Sequence, residues 1–332
     1  MATYKEIHGT NIEVLSSDPS NPINGQIWYN SSENRVKGFL VNPGSWATGG
    51  SLGVATYAMF GVGTQNDAIA SGGQSVGGPV DTSQTYDGTS WTAAPAQPSG
   101  EGSWYGGAAG IRTSGLSFGG QRPSSPYGLN TMSWNNTSWT NAPDLNTGRI
   151  RLGGFGASNT DALAFGGEGT NAGGTPLPGV IAVTESWNGS SWTNGNSMNT
   201  ARNFIRGSGT VSTAGLAFGG SPGPSGRYTE SYNGSWTNLG EILNTSTSNR
   251  GASGSQTLAI ACGGYEPAIT AATESWNGSA WTSVSSLSTA RRGVASAGTG
   301  NTSALATGGG TPSAVTATEE YNQGPATVTF AS

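Results

Sequence analysis

Cysteine is almost missing from this chain: Cys262 stands alone among 332 residues, so no internal disulfide framework can exist. Histidine is as scarce, and the single one, His8, excludes a histidine-based metal site or a histidine acid–base catalyst anywhere past the first residues. Charge is sparse at 9% of residues, with 13 Lys and Arg against 18 Asp and Glu and a net charge of −5. The only lysines are Lys5 and Lys37, and there is no basic stripe with interleaved aromatics, which argues against a nucleic-acid binder. No apolar run is long enough to span a bilayer, and no basic-then-apolar segment opens the chain. A soluble protein made in the cytosol of the translating cell is expected. A sustained helical period is also missing.

Glycine and tryptophan are abundant instead, 56 and 11 residues respectively, and they are periodic. The doublets Gly72-Gly73, Gly119-Gly120, Gly166-Gly167, Gly219-Gly220, Gly263-Gly264 and Gly308-Gly309 each follow a short apolar run. They lie 26, 28, 27, 27, 27 and 27 residues after Trp46, Trp91, Trp139, Trp192, Trp236 and Trp281. The full period drifts between 44 and 53 residues, so one supersecondary unit recurs with a single loop of variable length. Each unit reads as four short strands; the third runs Leu152 to Ala157, Ala162 to Phe165, Val180 to Trp187, then Trp192. Asp87-Gly88, Asn135-Asn136, Asn188-Gly189, Asn233-Gly234 and Asn277-Gly278 supply the positive φ of tight hairpins between the third and fourth strands.

A Gly-Gly closing the second strand, an aromatic on the third with Glu two residues earlier (Glu185, Glu230, Glu274, Glu319), a fourth-strand Trp and an Arg ten residues on (Arg149, Arg202, Arg291) resemble kelch repeats. The resemblance implies an all-β fold: a six-bladed β-propeller of four-stranded antiparallel blades over residues 46–332, preceded by an N-terminal arm, 1–45, with a β-hairpin. The first two units diverge, with Gln84 and Met132 at the Glu position and Thr56 and Glu101 at the Arg position. Trp46 is expected to complete the sixth blade, in preference to a strand from Ala326 to Ala331. Cys262 aligns with Phe118, Phe165 and Phe218, which reads as a packed core thiol.

Within the arm, Gln26 to Tyr29 and Val36 to Val41 read as strands around a turn at Ser31 to Asn34. The stretch Gly25-Gln26-Ile27-Trp28-Tyr29-Asn30, with Asp18 and Pro22 upstream and a Lys37-containing strand after it, resembles an element near the starts of tail-fibre and other virion proteins of tailed bacteriophages. This implies a virion structural protein, tail fibre or capsid decoration, assembled in the host cytoplasm in multiple copies. Ile27, Trp28 and Tyr29 would attach it to tail or capsid proteins.

Kelch propellers include copper oxidases whose site needs two histidines, and His8 cannot supply them; no metal, cofactor or catalytic residue is expected. The hairpins at Asp87 and Asn188 resemble the aspartate boxes of sialidases but are one residue short and mostly carry Asn. Repetition of the Glu and Arg at equivalent positions favours a structural use. The loop between second and third strands leaves 11 to 19 residues between doublet and aromatic, and it emerges on the face that carries the connections between blades. That face is expected to recognise a host-surface glycan through Gln121, Arg122, Tyr127, Arg149, Glu168, Arg202, Arg227 and Arg291. The alternatives are a polysaccharide-acting enzyme using this face and an intracellular kelch scaffold.

Overall fold

The structure, a computed structural model, describes residues 12–20, 25–41, 44–98, 103–170, 176–222, 226–241, 243–244, 247–265 and 267–330. Two units separate: Met1–Gly44 with Gln323–Ser332, and Ser45–Asn322. The expected boundary at 45/46 and the assignment of the last ten residues to the repeats are corrected by this division. The cause is local pairing: Ser45–Thr48 hydrogen-bonds to Thr318–Asn322, while Pro325–Thr329 pairs antiparallel with Arg35–Val41.

The larger unit is all-β and built of six four-stranded antiparallel sheets, an arrangement consistent with a β-propeller. In the third sheet the strands are Gly153–Ser158, Asp161–Phe165, Thr184–Trp187 and Trp192–Asn194, paired in that order. The sixth takes Ala295–Ala297, Ser303–Thr307 and Thr318–Asn322 from one end of the unit and Ser45–Thr48 from the other, with Tyr321 opposite Trp46. The first strands of the six sheets, Phe60–Gly63, Gly107–Ile111, Gly153–Ser158, Arg206–Val211, Gly251–Gly254 and Ala295–Ala297, touch in cyclic order, the last returning to the first. Together they line a cavity of about 80 Å³. Glycine at these strands permits the approach: a Cβ on Gly207 would lie 2.6 Å from the Phe165 ring of the preceding sheet.

Two side-chain relationships repeat around the same cycle. Each fourth-strand indole donates to a hydroxyl on the third strand of the preceding sheet: Trp139 to Ser83, Trp192 to Thr131, Trp236 to Thr184, Trp281 to Thr229, Trp46 to Thr273 and Trp91 to Thr318. The ring, buried in four cases and half-buried at Trp46 and Trp91, therefore keeps its polar N–H satisfied. The same rings pack on the third-strand aromatic of their own sheet, as Trp187 on Trp192 at 5.4 Å and Tyr86 on Trp91 at 5.0 Å. Phe118, Phe165 and Phe218 then meet Trp192, Trp236 and Trp281 edge-on from the neighbouring sheet.

The doublets form the second relationship. The first glycine of each has φ between 61° and 68°, a left-handed conformation that side chains disfavour. It lies against the carbonyl of the segment leading into the next sheet; a Cβ on Gly166 would stand 2.8 Å from the Arg202 carbonyl oxygen, and one on Gly308 2.4 Å from that of Thr56. The second glycine donates its N–H to the same carbonyl, as Gly167 to Arg202 and Gly309 to Thr56.

In the smaller unit the strands Glu13–Leu15, Ile27–Asn30, Arg35–Val41 and Pro325–Thr329 form one sheet in that order, the first pair parallel. The expected hairpin is present, with Ile27 opposite Gly38 and Asn30 opposite Arg35. Two flanking strands widen it, as an isolated hairpin of this length would be marginal in water.

Candidate functional site

Repeated buried ion pairs hold three of the expected recognition residues. Arg149, Arg202 and Arg291 are fully buried and bond to Glu185, Glu230 and Glu319 at 2.8, 2.8 and 2.7 Å. The other terminal nitrogen of each guanidinium binds carbonyls of its own sheet, Arg202 those of Gly219 and Tyr228, while Nε is buried without a partner. The second carboxylate oxygen accepts a backbone N–H from the incoming segment: Asn146 to Glu185, Asn199 to Glu230, Asn244 to Glu274 and Ser288 to Glu319. These arginines cannot face a ligand, and their place on the recognition surface is corrected here. They staple the incoming chain to its sheet. Burial pulls the Arg149 and Arg202 guanidiniums below their ordinary range, against the pull of their carboxylates.

A fourth pair was hidden in the sequence. Glu274 binds Arg250 at 3.0 Å, although Thr247 occupies the position equivalent to Arg149, so the guanidinium enters from three residues later. In the first sheet Gln84 accepts the Gly53 N–H at 2.7 Å, as the glutamates do. In the second Met132 packs with Ile69, Trp134 and Trp139, while Ser103, not Glu101, stands at the arginine position and donates to the Gly119 carbonyl. Glu101 itself lies outside the described residues.

Two residues beyond each of these positions, the chain enters a second ring. Ala58, Tyr105, Arg151, Phe204, Asn249 and Gly293 occupy equivalent places, and all six have φ between 49° and 63°. Their backbones are linked head to tail: Tyr105 N–H to Ala58 carbonyl, Arg151 to Tyr105, Asn249 to Phe204, Gly293 to Asn249 and Ala58 to Gly293. Glycine serves at one of the six, yet the others carry side chains at a conformational cost of about 1–2 kcal/mol each. Such outliers, held by their surroundings, mark places where a side chain is wanted at a given spot.

Side chains of this ring and its flanks meet one another in a cluster, which we call the mouth. Tyr105 meets Phe204 edge-on at 5.3 Å and Tyr57 at 6.2 Å. Arg151 stacks over the Phe204 ring at 4.5 Å and binds Glu168 at 2.6 Å; Asn203 also donates to Glu168. Arg292 lies over Tyr265 at 5.4 Å. Arg206 enters from the first strand of the fourth sheet and lines a cavity of about 60 Å³. Burial raises the Tyr105 phenol above its ordinary pKa, aided by Tyr57 and opposed by Arg292, Arg151 and Arg206.

Of the other expected residues, Gln121 pairs through its backbone with Trp104, beside Tyr105, and Glu168 joins the mouth as described. Arg122 is buried and pairs with Ser125, Tyr127 is half-buried, and Arg227 is exposed with Nε bonded to the Leu243 carbonyl. The loop from Glu168 forms strands Glu168–Thr170 and Pro176–Val180 beside Arg149–Ile150. Tyr105, Arg151, Phe204, Arg206 and Arg292 were missed because reading by repetition selects what recurs, and these residues are what differs between units.

Trp28 is completely buried in the smaller unit and is corrected as a contact residue; Ile27 is exposed and Tyr29 half-buried. The resemblance residues instead converge on Asp18, which accepts from Trp28 Nε1 at 3.0 Å, Asn30 Nδ2 at 2.9 Å and Lys37 Nζ at 2.8 Å. The Lys37 ammonium foremost, with Asn30 and Trp28, holds the Asp18 carboxyl down to about 2.

The hairpin residues are structural: Asp87, Asn135, Asn188 and Asn277 each accept two backbone N–H bonds within their own turns. Cys262 is buried, and burial pushes its thiol pKa up. Among the described residues no group of three or more His, Cys, Asp or Glu could hold a metal, and no helix is long and apolar enough to cross a membrane. No protein-family model matches the chain, and no curated protein matches it. The class is therefore defined by geometry alone: an all-β protein of repeated four-stranded sheets with one asymmetric aromatic and guanidinium-bearing mouth.

Proposed function

We propose that this chain is a non-enzymatic virion structural protein of a tailed bacteriophage, whose larger unit is a six-bladed kelch-like propeller displayed for adhesion to a host-surface glycan. The observation that carries the adhesive part is the left-handed ring, where Tyr105, Arg151 and Phe204 hold aromatic and guanidinium surfaces at positions that Gly293 shows to suit glycine. Concave sites that mix aromatic faces with a few convergent polar groups are the usual form of a ligand site. The cyclic order of the first strands and of the indole bonds supports a six-membered ring. The virion part rests on the resemblance of residues 18–37, whose side chains meet at Asp18 as a folding unit. Glu168, the carboxylate that meets the mouth cluster, is already bonded to Arg151 and Asn203, which favours binding over acid–base chemistry.

Labelling purified particles with an antibody to the propeller, viewed by electron microscopy, tests this. Label on tail, fibres or capsid is expected; protein found only in infected-cell lysate and never on particles overturns the virion reading.

A further inference from the structure

We propose that the mouth selects an anionic saccharide, an oxyanion carried on a sugar ring, and that Arg206 and Arg292 are the residues that read its charge; this rests on the mouth being the recognition site. The contrast with the structural arginines carries the argument. Arg149, Arg202, Arg250 and Arg291 each have a buried glutamate within 3.0 Å. Arg206 has none. It donates to the Arg250 carbonyl at 2.8 Å, the Ile205 carbonyl at 3.3 Å and Asn249 Oδ1 at 3.3 Å, all uncharged acceptors. The equivalent residues of the other sheets are Phe60, Gly107, Gly153, Gly251 and Ala295, so a charge here breaks the pattern of the repeat.

Arg292 adds a second uncompensated cation. Its Nε is buried without a hydrogen-bond partner, as in the structural arginines, but unlike theirs its guanidinium makes no ion pair among the described residues and rests on Tyr265. Arg151 is balanced by Glu168. The mouth thus holds two positive charges beyond its one carboxylate, within a chain of net charge −5. Both arginines are half-buried. A partly desolvated cation without a counter-ion loses solvation, and an incoming oxyanion offsets that loss while accepting the planar N–H fork of a guanidinium. Burial lowers the Arg206 pKa to about 10, which leaves it cationic at neutral pH. Around these charges stand the rings of Tyr57, Tyr105, Phe204 and Tyr265, with one face of Phe204 and one of Tyr265 under a guanidinium, on whose other faces the apolar C–H side of a sugar can stack; Gln74, its Oε1 bonded to the Tyr57 hydroxyl, and Gln121 lie just past the doublets.

The test applies the full chain to an array of uronate- and sialate-terminated, sulfated and matched neutral glycans, with an oligothymidine control, and repeats it with Arg292→Gln and Arg206→Gln. Acidic glycans are expected to bind at least about tenfold more tightly than their neutral counterparts, with a loss of about tenfold in each variant. Retention of carboxylated glycans alone assigns the oxyanion to a sugar acid; retention of sulfated ones alone assigns it to a sulfate ester. Arg292→Gln breaks no side-chain hydrogen bond among the described residues, so it carries the test should Arg206→Gln fail to fold. Equal binding of neutral and acidic glycans overturns the charge preference and leaves glycan recognition standing. Retention of no glycan overturns both, and preference for the oligonucleotide overturns the saccharide assignment.

Discussion

The indole nitrogen of Trp91 donates a 2.9 Å hydrogen bond to the hydroxyl of Thr318, joining the fourth strand of the first sheet to the third strand of the last across 227 residues. The same bond at Trp46 and Thr273 spans the neighbouring pair of sheets, so the two ends of the larger unit are tied by the device that ties its middle.

Thr318→Val keeps the shape of the side chain and removes the acceptor. The indole N–H, and the Thr307 hydroxyl that shares Thr318 at 2.8 Å, then lose their partner. A loss of about 1–3 kcal/mol in chemical denaturation is expected. A double-mutant cycle with Trp91→Phe should show the two positions coupled; additive effects would mean the bond contributes nothing to closure.

Glu185→Ala leaves the Arg149 guanidinium buried without its counter-charge and frees the Asn146 and Thr147 N–H groups. The expected cost is about 3–5 kcal/mol. Replacing the pair together, Arg149→Met with Glu185→Leu, should recover much of it, as Met132 replaces the acid in the second sheet. Urea denaturation of the single and double variants checks this, and a double variant as unstable as the single would show that the backbone bonds, not the charge, dominate.

Repetition made the four-strand unit, the hairpins and the sixth-sheet closure at Trp46 legible, because each depends on residues whose chemistry is required at every copy: glycine against a carbonyl, Trp between sheets, Asn or Asp in a turn. Repetition also pointed to the structural use of Arg149, Arg202 and Arg291 that the buried pairs show, whereas their place beside the connections between blades put them among the recognition residues. A residue that recurs at a buried position is bonded to its own fold, and the sequence alone does not show that Glu185 lies 2.8 Å away. Arg250 escaped because spacing cannot register a side chain that reaches the same place from a different position. The mouth escaped for the complementary reason: Tyr105 and Phe204 share no residue type with their equivalents, whose common place shows only in backbone φ, and Arg206 differs from every residue at its strand position.

Acid should act on the smaller unit through Asp18. Its carboxyl is held down to about 2, below its ordinary 3.8, so the stability it contributes is present above the ordinary value and is lost as pH falls through about 2. Following the Trp28 indole N–H resonance from pH 5 to pH 1 should show the Asp18 bond released near the lower value. In Asp18→Asn the step should vanish; a wild-type transition centred near 4 would contradict the network.

The central claim is that the mouth of the larger unit is what adheres. Binding of the purified, labelled full chain to host cells should be compared with that of the Tyr105→Ala, Arg292→Gln double variant, after both are shown to melt alike. The wild type should bind saturably and the double variant should lose most of that binding. Equal binding by the two proteins would place recognition elsewhere and contradict the account.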